Sequence, residues 1–292
     1  MTTLIDLRAS PKGCGLVGDD VDSVVVFDGT TRETIFPDDL RQRVAGRAVV
    51  LATHGFNVSG EDGVLSLTGW EKLARLPPPF VFIGVLWPGD SRFVPVLDYP
   101  LEGGVAVKAG NLLARFIDVQ MAGAASISMV SHSLGARVML ECVRRLHRPR
   151  VRTLMLMAAA VEWDSLSSEY ADSVAKVGRL HVVASREDLV LEAAFPVGNP
   201  FTQWLLKGHP LFRKALGREG PARPELLPVP HQVWQLPDGW KFGHGDYMPG
   251  KTAGRTFAPP GSPPHFDDAV PDPGPAPWRP GWAALIIATE FC

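Results

Sequence analysis

Short runs of consecutive apolar residues alternate along this chain with stretches whose apolar residues fall at helical spacing. The runs are Ala48–Ala52, Phe80–Trp87, Ile127–Val130, Val151–Met157 and Leu180–Ala184. A run that is apolar at nearly every position has no polar face to turn to water, so it suits a strand covered on both sides. Between the runs lie Val64–Leu76, with Leu65, Trp70, Leu73 and Leu76 roughly one helical turn apart, and Val105–Gln120, with Leu112, Leu113, Phe116 and Val119 on one stripe. Pro77-Pro78-Pro79 stops the first of these. Leu134–Leu146 and Asp164–Val177 complete the series as expected helices. The alternation predicts an α/β fold, a mostly parallel sheet with helices on both faces. Ligands of such sheets bind beyond the carboxyl ends of the strands, so chemistry is expected there.

The flanks fit this scheme less regularly. Leu4–Leu7 and Val24–Phe27 suit an antiparallel pair at a sheet edge, and Val233–Leu236 suits a last strand. Residues 191–230 break the alternation and read as an inserted segment capping the site or an extra packing unit. Ten prolines between Pro249 and Pro280 predict an irregular segment. The 292 residues are read as one domain with these two additions. A net charge of −2 and the lack of a polybasic run argue against a nucleic-acid or membrane-surface partner. Cys14, Cys142 and Cys292 have no metal-ligand spacing and cannot all pair within the chain, which fits a reducing compartment. Met1–Ser10 carries Asp6 and Arg8 and lacks the apolar core of a signal peptide, and no apolar run is long enough to span a bilayer. A cytoplasmic location is expected.

The stretch with chemical content is Ser126–Gly135, Ser-Ile-Ser-Met-Val-Ser-His-Ser-Leu-Gly. It reads as strand, sharp turn and helix, with Ser133 at the apex. So tight a turn strains the apex residue and lifts its side chain clear of the sheet. The residues two before and two after must be small, and here they are Ser131 and Gly135. Small residues between a strand and a helix occur in many βαβ units, so the turn alone does not decide. A serine hydroxyl needs a base within hydrogen-bond reach, and the base needs a carboxylate to orient it. The strand, turn and helix around Ser133 resemble those of α/β-hydrolases, and that resemblance implies partners in the order serine, acid, histidine. Glu187 and Asp188 both follow the run Leu180–Ala184. Asp188 is favoured, because Leu189-Val190-Leu191 would bury it. His209 falls in the inserted segment, and the histidines beyond it are His231, His244 and His265. His244 is favoured, lying between two glycines in Phe242-Gly-His-Gly-Asp-Tyr247. Asp246 is a second possible orienter, though close in sequence. The loop Thr53-His54-Gly55-Phe56-Asn57 ends a buried run, and Gly55 would let it turn so that the Phe56 N–H joins the Leu134 N–H as a pair of oxyanion donors. His54 is expected to hold that loop. Asn57 and Ser59 can line the pocket, Trp87 is either pocket wall or core, and His132 is expected at the substrate.

Four segments together carry a resemblance: His54-Gly-Phe-Asn57, Trp87-Pro-Gly-Asp90, Ser131-His-Ser-Leu-Gly135 and Gly243-His-Gly-Asp-Tyr247. With them the chain resembles the α/β-hydrolase superfamily, in an uncharacterised bacterial branch, over roughly residues 44–248. Ser131 departs from the glycine usual at that place. The resemblance implies an esterase- or lipase-like serine hydrolase that needs no metal or organic cofactor. It carries over Ser133 as nucleophile, Asp188 as acid, His244 as base, and Phe56 and Leu134 as oxyanion donors. A small ester with an apolar acyl or aromatic group is the expected substrate. Acyl transfer or thioester hydrolysis by the same residues, or a scaffold that only binds a ligand or partner, are the other outcomes such a chain allows.

Overall fold

The computed structural model describes residues 2–9, 16–56, 58–89, 99–147 (backbone only at 99–103), 151–192, 214–248, 286–288 and 290–291. Eight strands form one sheet: β1 Thr3–Asp6, β2 Val25–Asp28, β3 Ala48–Thr53, β4 Phe80–Leu86, β5 Ser126–His132, β6 Val151–Met157, β7 Val177–Ser185 and β8 His231–Leu236. Their order across the sheet is β2-β1-β4-β3-β5-β6-β7-β8. Every neighbouring pair is parallel except β1 with β2. The expected parallel sheet and the antiparallel pair at its edge are both present.

Among the described residues the α-helices are α1 Pro37–Val44, α2 Gly60–Ala74, α3 Tyr99–Gln120, α4 Gly135–Arg145, α5 Ala171–Ala175 and the single turn α6 Leu216–Glu219. β3-α2-β4 steps one way across the sheet, while β4-α3-β5, β5-α4-β6 and β6-α5-β7 step the other. Right-handed crossovers therefore put α2 on one face and α3, α4 and α5 on the opposite one. Contacts of α3 with α4, and of α4 with α5, agree with that layering. With both faces covered, the central strands are dry: Val49, Val50, Leu51 and Ala52 of β3, and Ile127, Met129 and Val130 of β5, are fully buried.

Three helices depart from the spacing-based expectation, and the first of them, α3, begins at Tyr99, six residues before the expected Val105. α2 starts four residues early because Ser59 caps it, accepting the Asp62 N–H at 3.3 Å. It ends at Ala74 because Arg75 turns left-handed at φ 45°. The helix expected over Asp164–Val177 is reduced to a 3-10 turn, Ser165–Ser167, and the five residues of α5. Ser167 and Ser168 each donate their hydroxyl to the Asp164 carbonyl, at 3.1 and 2.9 Å, offering the backbone an alternative to helix. The proline-rich segment and residues 193–213 of the insertion lie outside the described residues. Residues 214–222 run beside the turn that follows β6. Leu216 N–H bonds the Val161 carbonyl, Gly217 N–H that of Ala159, and Trp163 N–H that of Lys214.

Candidate active site

Parallel pairing brings the ends of β3, β5, β6 and β7 to one edge, and the site is assembled there. β5 stops at His132 and α4 begins at Gly135, which leaves two residues to reverse the chain. Ser133 takes φ 55°, a left-handed conformation that costs a residue with a Cβ about 1–2 kcal/mol. The turn is held from both sides: Ser133 N–H donates to the Met157 carbonyl, and the Ser133 carbonyl accepts from Ala160 and Ala136. Gly135 is obligatory by space, since a Cβ there would lie 2.4 Å from the His54 carbonyl oxygen. At the other small position Ser131 fits, fully buried, with its Oγ 3.5 Å from the Met155 carbonyl.

The end of β7 presents Asp188. Its carboxylate is fully buried and keeps two partners. Oδ1 accepts the Leu191 N–H at 2.9 Å, and Oδ2 lies 2.7 Å from His244 Nδ1. Those bonds offset the cost of removing the charge from water. The apolar residues expected to cover it do so only in part: Leu191 is buried, but Leu189 and Val190 face outward. Glu187 sits half-buried on the turn.

β8 leads into the loop that carries His244 in a 3-10 turn, His244–Tyr247. His244 Nε2 is 2.8 Å from Ser133 Oγ. The neutral imidazole donates its Nδ1–H to Asp188, so its Nε2 lone pair accepts from the serine hydroxyl. Asp246 serves another purpose, taking the Gly243 N–H at 2.7 Å to cap its own turn. The two glycines matter less than expected. Neither has a left-handed φ; a Cβ at Gly245 would meet nothing within 4 Å, and one at Gly243 only Asp246, at 3.6 Å.

The loop after β3 lies against Ser133. A Cβ on Gly55 would fall 2.6 Å from Ser133 Cβ, 3.2 Å from its Oγ and 3.0 Å from His132 Nδ1. Close approach requires this glycine; its backbone dihedral does not. Phe56 follows, half-buried; Asn57 lies outside the described residues. The Leu134 N–H makes no hydrogen bond among the described residues. His54 anchors the loop. Its Nδ1–H donates to the Gly55 carbonyl at 2.8 Å, and its Nε2 accepts the Trp87 N–H at 3.3 Å. Trp87 stacks on the imidazole at 5.8 Å and donates its indole N–H to the His54 carbonyl at 3.0 Å. Burial pushes the His54 pKa down to about 4, which keeps the ring neutral and this tautomer intact. Trp87 is buried and its N–H is taken, so it supports the loop from behind. Ser59, read as a pocket residue, is the cap of α2.

His132 is buried beside these groups, its Nε2 2.7 Å from the His244 carbonyl oxygen. Burial first, and the neighbouring His244 second, push its pKa down to about 3. Sequence reasoning gave this imidazole to the substrate and missed its contact with His244. The loop pairing is 112 residues apart, and nothing local signals it. No group of three or more potential metal ligands occurs among the described residues.

A family profile described as "Alpha/beta hydrolase of unknown function (DUF900)" matches residues 29–201, more than half of the chain. The chain belongs to this α/β-hydrolase family. Curated proteins give no match. Solved structures similar to this α/β-hydrolase include acetyl xylan esterase 1 from Thermoanaerobacterium sp., 10% identical, with a TM-score of 0.40, covering 79% of this chain and 75% of that one. Esterase B from Lactobacillus rhamnosis is 13% identical, with a TM-score of 0.36 and coverage of 76% and 73%. A structure titled for the metagenome-derived lipolytic enzymes LipS and LipT is 12% identical, with a TM-score of 0.34 and coverage of 66% and 85%. No described helix of the α/β-hydrolase is long and apolar enough to cross a membrane.

Proposed function

We propose that this α/β-hydrolase is a serine esterase that works through an acyl-enzyme on Ser133. The observation that carries the reading is His244, whose two ring nitrogens lie 2.8 Å from Ser133 Oγ and 2.7 Å from Asp188 Oδ2. An alcohol, a base and an orienting carboxylate in that sequence are what a serine needs to become a nucleophile at neutral pH.

Ser133 Oγ attacks the ester carbonyl carbon while His244 Nε2 takes the hydroxyl proton. Asp188 holds the imidazole in the Nδ1–H tautomer and balances the imidazolium that forms. The carbonyl oxygen becomes an oxyanion, and the N–H groups of Leu134 and Phe56 are assigned to it. Each such donor contributes roughly 3–4 kcal/mol in the transition state. Collapse of the intermediate breaks the bond to the alkoxy oxygen, which leaves as the alcohol with the proton from His244. A water then repeats the sequence on the acyl-enzyme. It loses its proton to His244, releases the carboxylic acid and restores Ser133.

The fit of the loop supports the same reading. Gly55 brings the backbone against Ser133 with no room for a methyl group, which is where a donor beside the reacting carbon has to be. The test is hydrolysis of a panel of p-nitrophenyl esters of increasing acyl length. Turnover of at least one ester is expected, with S133A reduced to the uncatalysed rate while keeping its circular dichroism spectrum. Full activity in S133A would overturn the proposal.

A further inference from the structure

We propose that His132 is a positioning residue, whose Nε2–H fixes the backbone of the His244 turn over Ser133. This rests on the reading of Ser133, His244 and Asp188 as one reacting unit. A carbonyl oxygen can only accept, so the 2.7 Å contact makes His132 Nε2 the donor. The other ring nitrogen faces Gly55, where a Cβ would stand 3.0 Å away. Nε2 is thus committed to the His244 main chain, and with 8% exposure most of the imidazole is enclosed by protein.

The choice of anchor makes physical sense. His132 is the last residue of β5 and is registered against Met157 of β6, so its Cα is set by the sheet. The turn that carries His244 comes eight residues after β8 ends. Phe242 and Tyr247 are fully buried and pack edge-on at 4.7 Å, which holds the turn down. Apolar burial has no direction, however, and does not fix where Nε2 of His244 points. Two directed bonds supply that: Asp188 sets the rotation of the ring, and His132 sets the position of the main chain that bears it. The His132 ring also packs against the His244 ring, with centroids 4.9 Å apart. One side chain thus touches the Gly55 loop and the base turn and is bonded in sequence to the nucleophile.

The test uses H132Q and H132M, which have nearly the same shape and differ in the terminal N–H. The full chain is reacted with a fluorophosphonate, and the saturating rate of serine modification is separated from the probe's half-saturation concentration. H132Q is expected to react at least tenfold faster than H132M at saturation, with half-saturation alike in both. Equal saturating rates, or a change confined to half-saturation, would overturn the positioning role. If wild type and S133A are modified alike, it is the reading of the reacting unit that fails. A nitrogen-15 NMR measurement on the unaltered chain needs no variant to fold. His132 is expected as the neutral Nε2–H tautomer, and finding the Nδ1–H tautomer would also overturn the proposal.

Discussion

Gly55 carries more of this site than its size suggests. A methyl group there would sit 2.6 Å from Ser133 Cβ, so the loop or the turn has to shift to admit it. G55A is expected to lose at least about 100-fold in kcat/KM, because a displacement near 1 Å costs that much in a reacting geometry. It is also expected to lose about 1–3 kcal/mol of stability from overpacking, read as a fall in the urea midpoint. Asp188→Asn tests the other end. An amide keeps the shape but presents N–H₂ as well as oxygen, so the imidazole turns its lone pair toward position 188 and its Nε2–H toward Ser133. Turnover is expected to fall by about 10³–10⁴-fold with the melting curve still cooperative. That Ser133, Asp188 and His244 meet was legible in the sequence, because each follows a strand end that its apolar run marks. The reasons offered for two of them were wrong in detail. Leu189 and Val190 leave Asp188 to be buried by other groups, and the glycines beside His244 are not needed for space. The contact of His132 with the His244 main chain was not legible, because the two are 112 residues apart.

At the scale of elements, strands were read more reliably than helices. A dry, continuous apolar run leaves few alternatives, and β3 and β4 were found within a residue of their ends. Helix ends depend on capping and on competing side-chain bonds. Ser59 extended α2 toward its N-terminus, while the serines after Asp164 broke up the expected helix. α1 was not anticipated at all, because only Leu40 and Val44 of its eight residues are buried and its apolar period is too weak to stand out. The contact between α4 and the loop after β3 is the element-scale joint of the site. G135A would put a Cβ 2.4 Å from the His54 carbonyl oxygen and 2.7 Å from Thr53 Cγ2. It is expected to lower stability by about 1–3 kcal/mol and to lower activity more than stability, since α4 and the Gly55 loop must separate to admit it. Unfolding by urea together with steady-state kinetics checks both parts; a variant as stable and active as wild type would contradict the joint.

At the scale of the whole molecule, three buried histidines among the described residues link stability to pH, one of them, His181, with Nε2 3.5 Å from the Glu290 carboxylate. Burial lowers the pKa of His54 to about 4, of His132 to about 3 and of His181 to about 4, with His244 adding to the second and Arg179 to the third. The unfolded chain protonates all three near their ordinary value of about 6.5, so between pH 6.5 and 4 it binds more protons than the folded one. Stability from these groups is therefore present above pH 6.5 and is lost as pH falls. From pH 7.5 to 5.5 the loss is expected on the order of 1 kcal/mol for each, read from urea melts at the two pH values. H181N should reduce the slope, and an unchanged slope would contradict the neutral state. The sheet, its layers and the loops at one edge serve to bring Ser133, His244 and Asp188 into a single hydrogen-bonded line. Mass spectrometry of the chain after fluorophosphonate treatment tests that line most directly. One adduct on the peptide that contains Ser133, absent from S133A and strongly slowed in H244Q, is the predicted result. A chain that stays unmodified, or an adduct that forms equally fast in H244Q, would contradict it.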